Sequence, residues 1–407
     1  MKISFIGLGK LGLPLASLLS ESGHDIYGID KNSTLISNLS KGKISTSEKN
    51  LQQVFTNAKS GFKAFSTSYK NIFVNTDATI ILVNTQIGTD GYSDVLVKKV
   101  FNNLSKEFKS SKKPYHLFVL SSTVLPGTIS KLVKKFEKDT QKIHGKDFGL
   151  VYVPDFVKLG SVIEDFKNPE FFLVGSTYEK DYITVNNIWE NMHTNLVKKI
   201  SVSLEEAEIA KISLNAFIVN KISFANYLYI LCKNIDNVNP KNITDVIGLD
   251  SRIGSKFFSP GTPFGGTCFP RDTDAFLKFA SDNNHIAKHV SFSNDINEML
   301  YSDLIEQLLP YKKIGILGIS FKENTDVITG SPSIRLIELL DKTNQQIYAY
   351  DFNSVEIEIN YLNLNICDSL NECIDNCEVI LIMHNDSRFK NLDFKGKKII
   401  DPWNLYK

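Results

Sequence analysis

A cysteine lies inside a glycine- and proline-rich loop in the second half of the chain. The loop reads PGTPFGGTCFPRD over residues 260–272 and holds Cys268, Arg271 and Asp272. Glycines let such a loop wrap closely around a phosphate or a sugar, and Pro270 suits the first turn of a helix. A thiol just before a helix and beside positive charge readily forms the nucleophilic thiolate. Cys268 is therefore predicted to be a nucleophile, the alternative being an inert buried thiol. The other four cysteines are interpreted as small buried apolar side chains: Cys232, Cys367, Cys373 and Cys377.

The beginning of the chain carries a pattern that is typical of dinucleotide binding. The sequence GLGKLG occupies residues 7–12, directly after the strand-like run Ile3–Ile6. Glycines at this spacing permit a tight turn, let a pyrophosphate approach the backbone, and let the next helix pack on the strand. Asp30 lies 18 residues after Gly12, where a carboxylate can bind ribose hydroxyls. The pattern predicts NAD rather than NADP, whose 2′-phosphate Asp30 would repel; the alternative is a tight turn without a ligand.

Alternating strand and helix patterns must position these residues. In the first half, short β-branched runs predict strands and amphipathic spacing predicts helices between them, which indicates a parallel sheet covered on both faces. The strands are expected at Ile3–Ile6, Ile26–Asp30, Thr79–Val83, His116–Ser121, Gly149–Val153 and Phe171–Gly175. The helices are expected at Leu11–Ser22, Leu51–Asn57, Val95–Phe108 and Ile129–Lys138.

The second half begins with a long helical stretch. Leu204–Asn234 contains no Gly or Pro and predicts one helix of about 30 residues. Further helices are expected at Thr273–Asp282 and Lys288–Leu309. A second, smaller α/β unit follows, with strands expected at Ile314–Leu317, Gln346–Tyr350, Val379–Met383 and Lys398–Ile400.

Composition excludes several classes of protein. The chain has 407 residues, which favours two or three domains, and its net charge of +1 gives no global field for nucleic acid or an anionic membrane. No stretch approaches the roughly 18 apolar residues of a membrane span. Five cysteines are odd in number and show no zinc spacing. We therefore expect a cytoplasmic protein without a disulfide framework or a metal site.

Several motifs together resemble the UDP-glucose/GDP-mannose dehydrogenases, and the match runs nearly end to end. Besides the glycine fingerprint, residues 122–128 are similar to the family's STVxxGT segment, and Lys211–Phe217 is similar to KxxxNx[FY]. The other matching segments are Asp250–Gly254 for DxRIG, the Cys268 loop for GGxCxPKD, Leu317–Lys322 for LGxxFK and Asp401–Asn404 for the terminal DxRN. Such enzymes oxidise the C6 alcohol of a nucleotide sugar to a carboxylate with NAD.

The resemblance implies an architecture. The fold class is α/β, with two Rossmann-like doubly wound units joined by a long central helix and a helical spine. The expected domains are an NAD-binding domain at 1–200, a central helical domain with the cysteine loop at 201–308, and a UDP-sugar-binding domain at 309–407. The expected partners are NAD, a UDP-sugar substrate and a second copy of the chain around the long helix.

The resemblance also assigns roles to residues. Cys268 would attack the aldehyde that forms at C6, giving a thiohemiacetal and then a thioester. Lys211 and Asn215 lie four residues apart on one helix face and would stabilise an oxyanion, the alternative being a solvated face. Asp272 and Thr123 would hold a water or transfer protons. The expected cofactor-binding residues are Gly7, Gly9, Lys10, Leu11, Gly12, Asp30, Val83, Thr85, Thr123 and Arg271. The expected substrate-binding residues are Asp155, Phe156, Val157, Lys158, Leu159, Lys211, Asn215, Arg252, Phe257, Gly261, Gly265 and Lys322, with Arg252 reaching the substrate of a neighbouring subunit.

The chain departs from the family pattern at several polar positions. The family's second glutamate in NPEFLxEG, implicated in thioester hydrolysis, is Leu159 here, so another base or a water held by Thr123 and Asp272 must serve that step. Val327 and Thr329 replace polar residues of TDDxRxSP, and Trp403 replaces the arginine of DxRN. Arg271 replaces the loop lysine and keeps its charge.

The favoured substrate is UDP-glucose, because Arg252 is present and Thr267 replaces the histidine typical of the UDP-N-acetylhexosamine branch. Leu159 argues against UDP-glucose, because relatives that act on N-acetylhexosamine nucleotides also lack the family glutamate at this position. A UDP-N-acetylhexosamine or GDP-mannose dehydrogenase is therefore the nearest alternative. Two further hypotheses stay open. One is a nucleotide-sugar-binding protein that has lost turnover, and the other is a hydroxyacid dehydrogenase, which needs no nucleophilic cysteine.

Overall fold

The computed structural model describes residues 1–46, 48–85, 87–88, 91–353, 355 and 361–405, without the side chains of 87, 88 and 91. The chain divides into two compact units, Met1–Ile212 and Ser213–Lys407. The boundary falls inside one helix, Leu204–Cys232. None of the helices in these ranges is long and apolar enough to cross a membrane.

The first unit is built on a sheet of eight strands. The strands of this unit are β1 (Lys2–Ile6), β2 (Asp25–Ile29), β3 (Phe62–Ser66), β4 (Ala78–Ile81), a two-stranded ribbon of β5 (Ile87–Gly88) and β6 (Gly91–Tyr92), β7 (His116–Leu120), β8 (Phe148–Tyr152), β9 (Phe171–Gly175) and β10 (Lys198–Val202). Its helices are α1 (Gly12–Glu21), α2 (Ser33–Ser40), α3 (Leu51–Ala58), α4 (Ile72–Asn75), α5 (Val95–Lys109), α6 (Thr128–Thr140), α7 (Val162–Lys167), α8 (Glu179–Trp189) and the start of α9 (Leu204–Cys232).

Six neighbouring strands follow the dinucleotide-binding order. The sheet runs β10-β9-β8-β7-β4-β1-β2-β3, and β3 to β8 reproduce the 3-2-1-4-5-6 order of a Rossmann domain. Both faces are covered: along β7, Leu117 and Val119 enter one apolar cluster, whereas Phe118 and Leu120 enter the other. Double coverage explains why these strands read as continuous apolar runs. The predicted α/β fold class is confirmed.

One pairing differs from the parallel sheet that was expected. Strand β9 pairs antiparallel with β8 and parallel with β10. An antiparallel neighbour starts at the edge where the preceding strand ends, so residues 153–170 do not cross the sheet. The segment Asp155–Leu159 therefore stays beside the carboxyl ends of the strands.

The second unit combines helices with a smaller parallel sheet. Its helices are the rest of α9, then α10 (Pro240–Gly248), α11 (Phe269–Asp282), α12 (Lys288–Leu308), α13 (Pro332–Leu340) and α14 (Leu370–Asn376). Its strands are β11 (Lys313–Leu317), β12 (Gln346–Tyr350), β13 (Leu364–Ile366), β14 (Val379–Ile382) and β15 (Lys398–Ile400), ordered β13-β12-β11-β14-β15 and all parallel. The long helix predicted from residue 204 is confirmed. The division of the chain at 201 and 309 stays a prediction.

Candidate active site

The three fingerprint glycines differ in what surrounds them. Gly7 follows β1 with φ 95°, and a Cβ built on it would lie 2.2 Å from the Leu82 carbonyl oxygen. A Cβ on Gly12 would overlap the Gly7 carbonyl, so this glycine lets α1 pack against the turn. At Gly9 a Cβ would meet nothing within 4 Å. The turn is thus closed on two sides and open at Gly9, which fits the approach of a pyrophosphate to the start of α1. Lys10 is exposed on the same turn, and Leu11 immediately precedes α1.

Asp30 follows the end of β2 and is fixed at the same turn. Its Oδ2 accepts a hydrogen bond from the Leu8 N–H at 2.8 Å, and its Oδ1 accepts one from the Asn32 N–H at 2.9 Å. A carboxylate held in this way suits ribose hydroxyls and opposes a 2′-phosphate.

Two neighbouring strands bring further predicted residues to this edge. Ser122 Oγ, directly after β7, accepts from the Val83 N–H and donates to the Val83 carbonyl, both at 2.8 Å. Thr123 and Thr85 are buried beside these strand ends. The carboxyl ends of β1, β4 and β7 therefore gather the fingerprint turn, Val83 and Thr123.

Lys211 lies within the first turns of α9 and contacts the segment after β8. Its side chain is 6 % exposed, and Nζ donates to the main-chain carbonyl of Asp155 at 2.7 Å and lies 4.8 Å from the centre of the Phe156 ring. Asp155 is only partly buried as a residue, yet its Oδ2 is inaccessible and has no hydrogen-bond partner among the described residues. Burial raises the pKa of Asp155 to about 7, against the opposing effect of the Lys211 charge. A carboxyl group that titrates near neutrality can exchange protons with a reacting group.

Leu159 occupies the position of the missing family glutamate and packs against the apolar core, as does Val157. The turn after it is held by Glu48, whose carboxylate accepts from the Gly160 and Val162 N–H groups, each at 2.8 Å. Lys158 is exposed, and its N–H donates to Asp165 at 2.8 Å. Glu48 was not predicted from the sequence, because it lies more than a hundred residues before Gly160 and belongs to no motif.

Glu208 is a second functional candidate that the sequence did not reveal. It lies one helical turn before Lys211, is fully buried, and accepts hydrogen bonds from Gly127 N–H at 2.6 Å and Ile129 N–H at 2.8 Å. It therefore caps the N-terminus of α6 and fixes the loop that carries Thr123. Burial raises the pKa of Glu208 to about 7, although these N–H groups favour its ionised form. The sequence signal that could have identified Glu208 is its i, i+3 spacing to Lys211, which places the two residues on one face of α9.

In the second unit, Cys268 immediately precedes α11, as predicted. The residue is half-buried, and its Sγ lies 3.6 Å from the hydroxyl oxygen of Thr267. Pro270 lies in the first turn of the helix. Phe257, with φ 59°, packs edge-on against Phe269 at 6.1 Å between ring centres.

Asp272 connects two other predicted residues of the same unit. Its carboxylate is fully buried, accepts from the Asn215 amide at 2.5 Å and pairs with Arg271 Nε at 2.7 Å. Both carboxylate oxygens are thus held by donors, which compensates for the burial of the charge.

The cysteine loop rests on the smaller α/β fold of its own unit. Gly261 lies against the Trp403 ring, Gly265 against Pro332 and Gly266 against Phe321. The Gly266 N–H also donates to the Gly330 carbonyl at 2.8 Å. Glycine is needed at each point, because a Cβ would overlap these neighbours. The Trp403 that replaces the family arginine therefore supports the loop.

The second unit also holds Arg252 and Lys322, which were predicted to bind the substrate. The Arg252 side chain is 86 % exposed and pairs with Asp250 at 2.6 Å. Lys322 is half-buried, with Nζ 5.8 Å from the centre of the Phe321 ring. Val327 is buried and its carbonyl accepts from the Phe321 N–H, whereas Thr329 is exposed. Among the residues with described placement, no group of His, Cys, Asp and Glu could hold a metal ion.

Comparisons with known proteins give matches along nearly the whole chain. Models of the UDP-glucose/GDP-mannose dehydrogenase family match in three parts: the NAD binding domain at residues 1–193, the central domain at 205–299 and the UDP binding domain at 315–407. A UDP-glucose 6-dehydrogenase of Rickettsia conorii is 31 % identical over 97 % of this chain and 91 % of its own length. One from Haloferax volcanii is 28 % identical over 97 % of this chain and 93 % of its own. The solved structure of a UDP-glucose dehydrogenase from Pyrobaculum islandicum superposes with a TM-score of 0.91 at 27 % identity, covering 99 % of this chain and 94 % of that one.

Proposed function

Because the chain belongs to the UDP-glucose/GDP-mannose dehydrogenase family, we propose that it oxidises the C6 alcohol of UDP-glucose to a carboxylate. The chain is an NAD-dependent nucleotide-sugar 6-dehydrogenase, and the choice of sugar is the proposal. The observation that supports the chemistry most strongly is the half-buried Cys268 at the start of α11, one turn before Asp272. A hydroxyacid dehydrogenase requires no such cysteine.

The proposed reaction removes four electrons from one carbon. The alcohol first loses a proton and a hydride to become an aldehyde, and the Cys268 thiolate adds to it to form a thiohemiacetal. Loss of a second hydride and proton gives a thioester, which water cleaves to release the carboxylate and the thiol. Each oxidation would use one NAD as the hydride acceptor, held by the Gly9 turn and Asp30, so two molecules of NAD would be consumed per sugar.

Each residue has a proposed task. The Lys211 ammonium and the Asn215 amide stabilise the oxyanion of the tetrahedral species. Thr123 and Asp272 hold the water or transfer protons. Asp155 serves as the base for hydrolysis in place of the family glutamate, since a carboxyl group with a pKa of about 7 suits proton abstraction near neutral pH. The Gly9 turn and Asp30 bind the pyrophosphate and ribose of the cofactor.

UDP-glucose is favoured over a UDP-N-acetylhexosamine on three grounds. Thr267 stands where that branch typically carries histidine, and Arg252 is present. Two relatives that are 28 % and 31 % identical over 97 % of the chain are UDP-glucose 6-dehydrogenases. A UDP-N-acetylhexosamine or GDP-mannose remains the second candidate, because Leu159 replaces the family glutamate.

We further propose a homodimer around α9. Phe217, Phe224 and Leu231 recur every seven residues on that helix and are 64 %, 52 % and 57 % exposed. Such a stripe of large apolar side chains is typical of a protein interface. Leu231→Glu should yield a monomer in sedimentation velocity, whereas Leu196→Glu, at an exposed leucine of the first unit, should not change the mass. An unchanged mass for Leu231→Glu would contradict the proposal. The five free cysteines agree with the cytoplasmic setting that we also propose.

The decisive experiment counts NADH formed per UDP-glucose consumed. The wild type should give two NADH per sugar, and Cys268→Ser should lose or stall this turnover. Cys232→Ser is the matched control, because that thiol is buried on α9 outside the proposed machinery. Turnover only with another nucleotide sugar would transfer the proposal to that substrate. Binding without any turnover would overturn it in favour of a nucleotide-sugar-binding protein.

A further inference from the structure

Two buried asparagines hold the loop that carries Cys268. Asn226 on α9 accepts from the Gly261 N–H at 2.9 Å and donates to the Thr262 carbonyl at 3.3 Å. Asn297 on α12 accepts from the Phe264 N–H at 2.8 Å and donates to the carbonyl of Phe264 at 2.9 Å. Each amide therefore binds the loop backbone through both its oxygen and its nitrogen.

These pairings require an amide of this length. Asn226 is 1 % exposed and Asn297 is 9 % exposed, so the backbone groups they satisfy are shielded from water. An aspartate offers only acceptors and a leucine offers neither donor nor acceptor. Either substitution would leave a shielded carbonyl or N–H of the loop without its partner, which favours a change of loop conformation.

We propose that Asn226 and Asn297 are positioning residues that fix residues 261–264 and thereby the placement of the Cys268 thiol. The two amides bind the stretch just before Gly265 and Gly266, whose backbones would otherwise adopt many conformations. Gly266 is tied to the Gly330 carbonyl at 2.8 Å, and Cys268 then enters α11. The two asparagines thus restrain the glycine-containing stretch that leads from residue 261 to the start of α11. The inference rests on the proposed function only in taking Cys268 as the nucleophile.

The test compares Asn297→Asp and Asn297→Leu with the wild type by two readouts. The first is the rate at which iodoacetamide alkylates Cys268, followed by peptide mass spectrometry. The second is the separate measurement of kcat and KM with UDP-glucose and NAD.

A loosened loop should expose the half-buried thiol and raise its alkylation rate several-fold. It should lower kcat by about 10²-fold, the usual effect of displacing a reacting atom by about 1 Å. The KM for NAD should not change, since the fingerprint turn is intact. Asn297→Asp, which keeps the acceptor, should retain more activity than Asn297→Leu.

The matched control is Asn186→Leu. Asn186 is also buried, but its amide donates to the Tyr182 carbonyl within its own helix, α8, at 2.9 Å. If Asn297→Leu and Asn186→Leu lower the unfolding temperature alike and both leave Cys268 alkylation and kcat unchanged, the positioning role is overturned. Alkylation needs neither sugar nor NAD. A wild type that forms no NADH would therefore refute the proposed function, while the positioning role of Asn226 and Asn297 could still be tested by alkylation.

Discussion

The Asn215 amide donates to the buried carboxylate of Asp272 at 2.5 Å. The other oxygen of that carboxylate pairs with Arg271 at 2.7 Å. Asp272 thus has a donor at each of its two carboxylate oxygens, at the end of the first turn after Cys268.

Asp272→Asn should therefore harm both folding and activity. The neutral amide removes the charge of the fully buried Asp272 carboxylate from its pair with the half-buried Arg271 guanidinium, and breaking a buried pair in this way costs about 3–5 kcal/mol. Urea unfolding should show that loss, and NADH formation should fall by about 10²-fold or more, the usual range for a proton-transferring group. Asp282→Asn is the control, because that carboxylate forms an exposed pair with Lys278 on the same helix. Similar losses in the two variants would contradict the assigned role.

Asp155→Asn should change the dependence of both stability and rate on pH. The folded-state pKa is raised to about 7 from 3.8, so between these values the unfolded chain ionises first and binds fewer protons. This carboxyl group therefore makes the wild type less stable as pH rises from about 4 to 7. In Asp155→Asn that contribution is absent, so the stability of the variant relative to the wild type should increase over this window in urea unfolding.

The rate gives the second part of that prediction. If Asp155 is the hydrolytic base, kcat of the wild type should rise with pH and level off above about 7. Asp155→Asn should have a low kcat without that rising limb. Asp25→Asn, at a surface carboxylate paired with Lys63, should keep the wild-type profile. A rising limb that persists in Asp155→Asn would assign the titration to another group.

Local signals were sufficient for the parts of the site that short segments create. The spacing of Gly7, Gly9 and Gly12 encodes a turn whose crowded and open positions the structure reproduces. Pro270 and the glycines before Cys268 likewise predict a loop that is followed directly by a helix. The period of apolar residues predicted α9 to within a few residues of its end. These features depend on neighbours within a few positions along the chain, which periodicity and turn chemistry report.

Features created by distant contacts were not predictable in the same way. Glu48 reaches Gly160 across 112 positions, and Glu208 reaches Gly127 across 81. The pKa of Asp155 depends on burial that no motif encodes. The antiparallel pairing of β9 with β8 depends on where residues 153–170 return to the sheet. Each is a consequence of tertiary packing, which overrides local preference.

Glu208→Gln should weaken the link between α9 and α6. A glutamine keeps one acceptor oxygen, but its amide group faces one of the two N–H donors at Gly127 and Ile129. The buried mismatch should cost about 1–3 kcal/mol in urea unfolding, and kcat should fall because the loop with Thr123 is loosened. Glu205→Gln is a close control, since Glu205 lies on the same helix, is exposed, and bonds the Ser130 hydroxyl of α6. Equal effects of the two variants would show that the buried cap has no special role.

Gly261→Ala should reveal how firmly Trp403 supports the cysteine loop. A Cβ built on Gly261 would lie 2.2 Å from Trp403 Cζ3, so the ring or the loop must move. Overpacking of this kind costs about 1–3 kcal/mol, and the displaced loop should also lower kcat. In a Trp403→Leu background the same substitution should cost less, because the smaller side chain leaves room for the methyl group. The coupling energy of this double-mutant cycle in urea unfolding is the measurement. Gly9→Ala is the control for stability, because its Cβ would meet nothing within 4 Å. A Gly261→Ala penalty that is the same with Trp403 and with Leu at that position would mean that the ring does not support the loop.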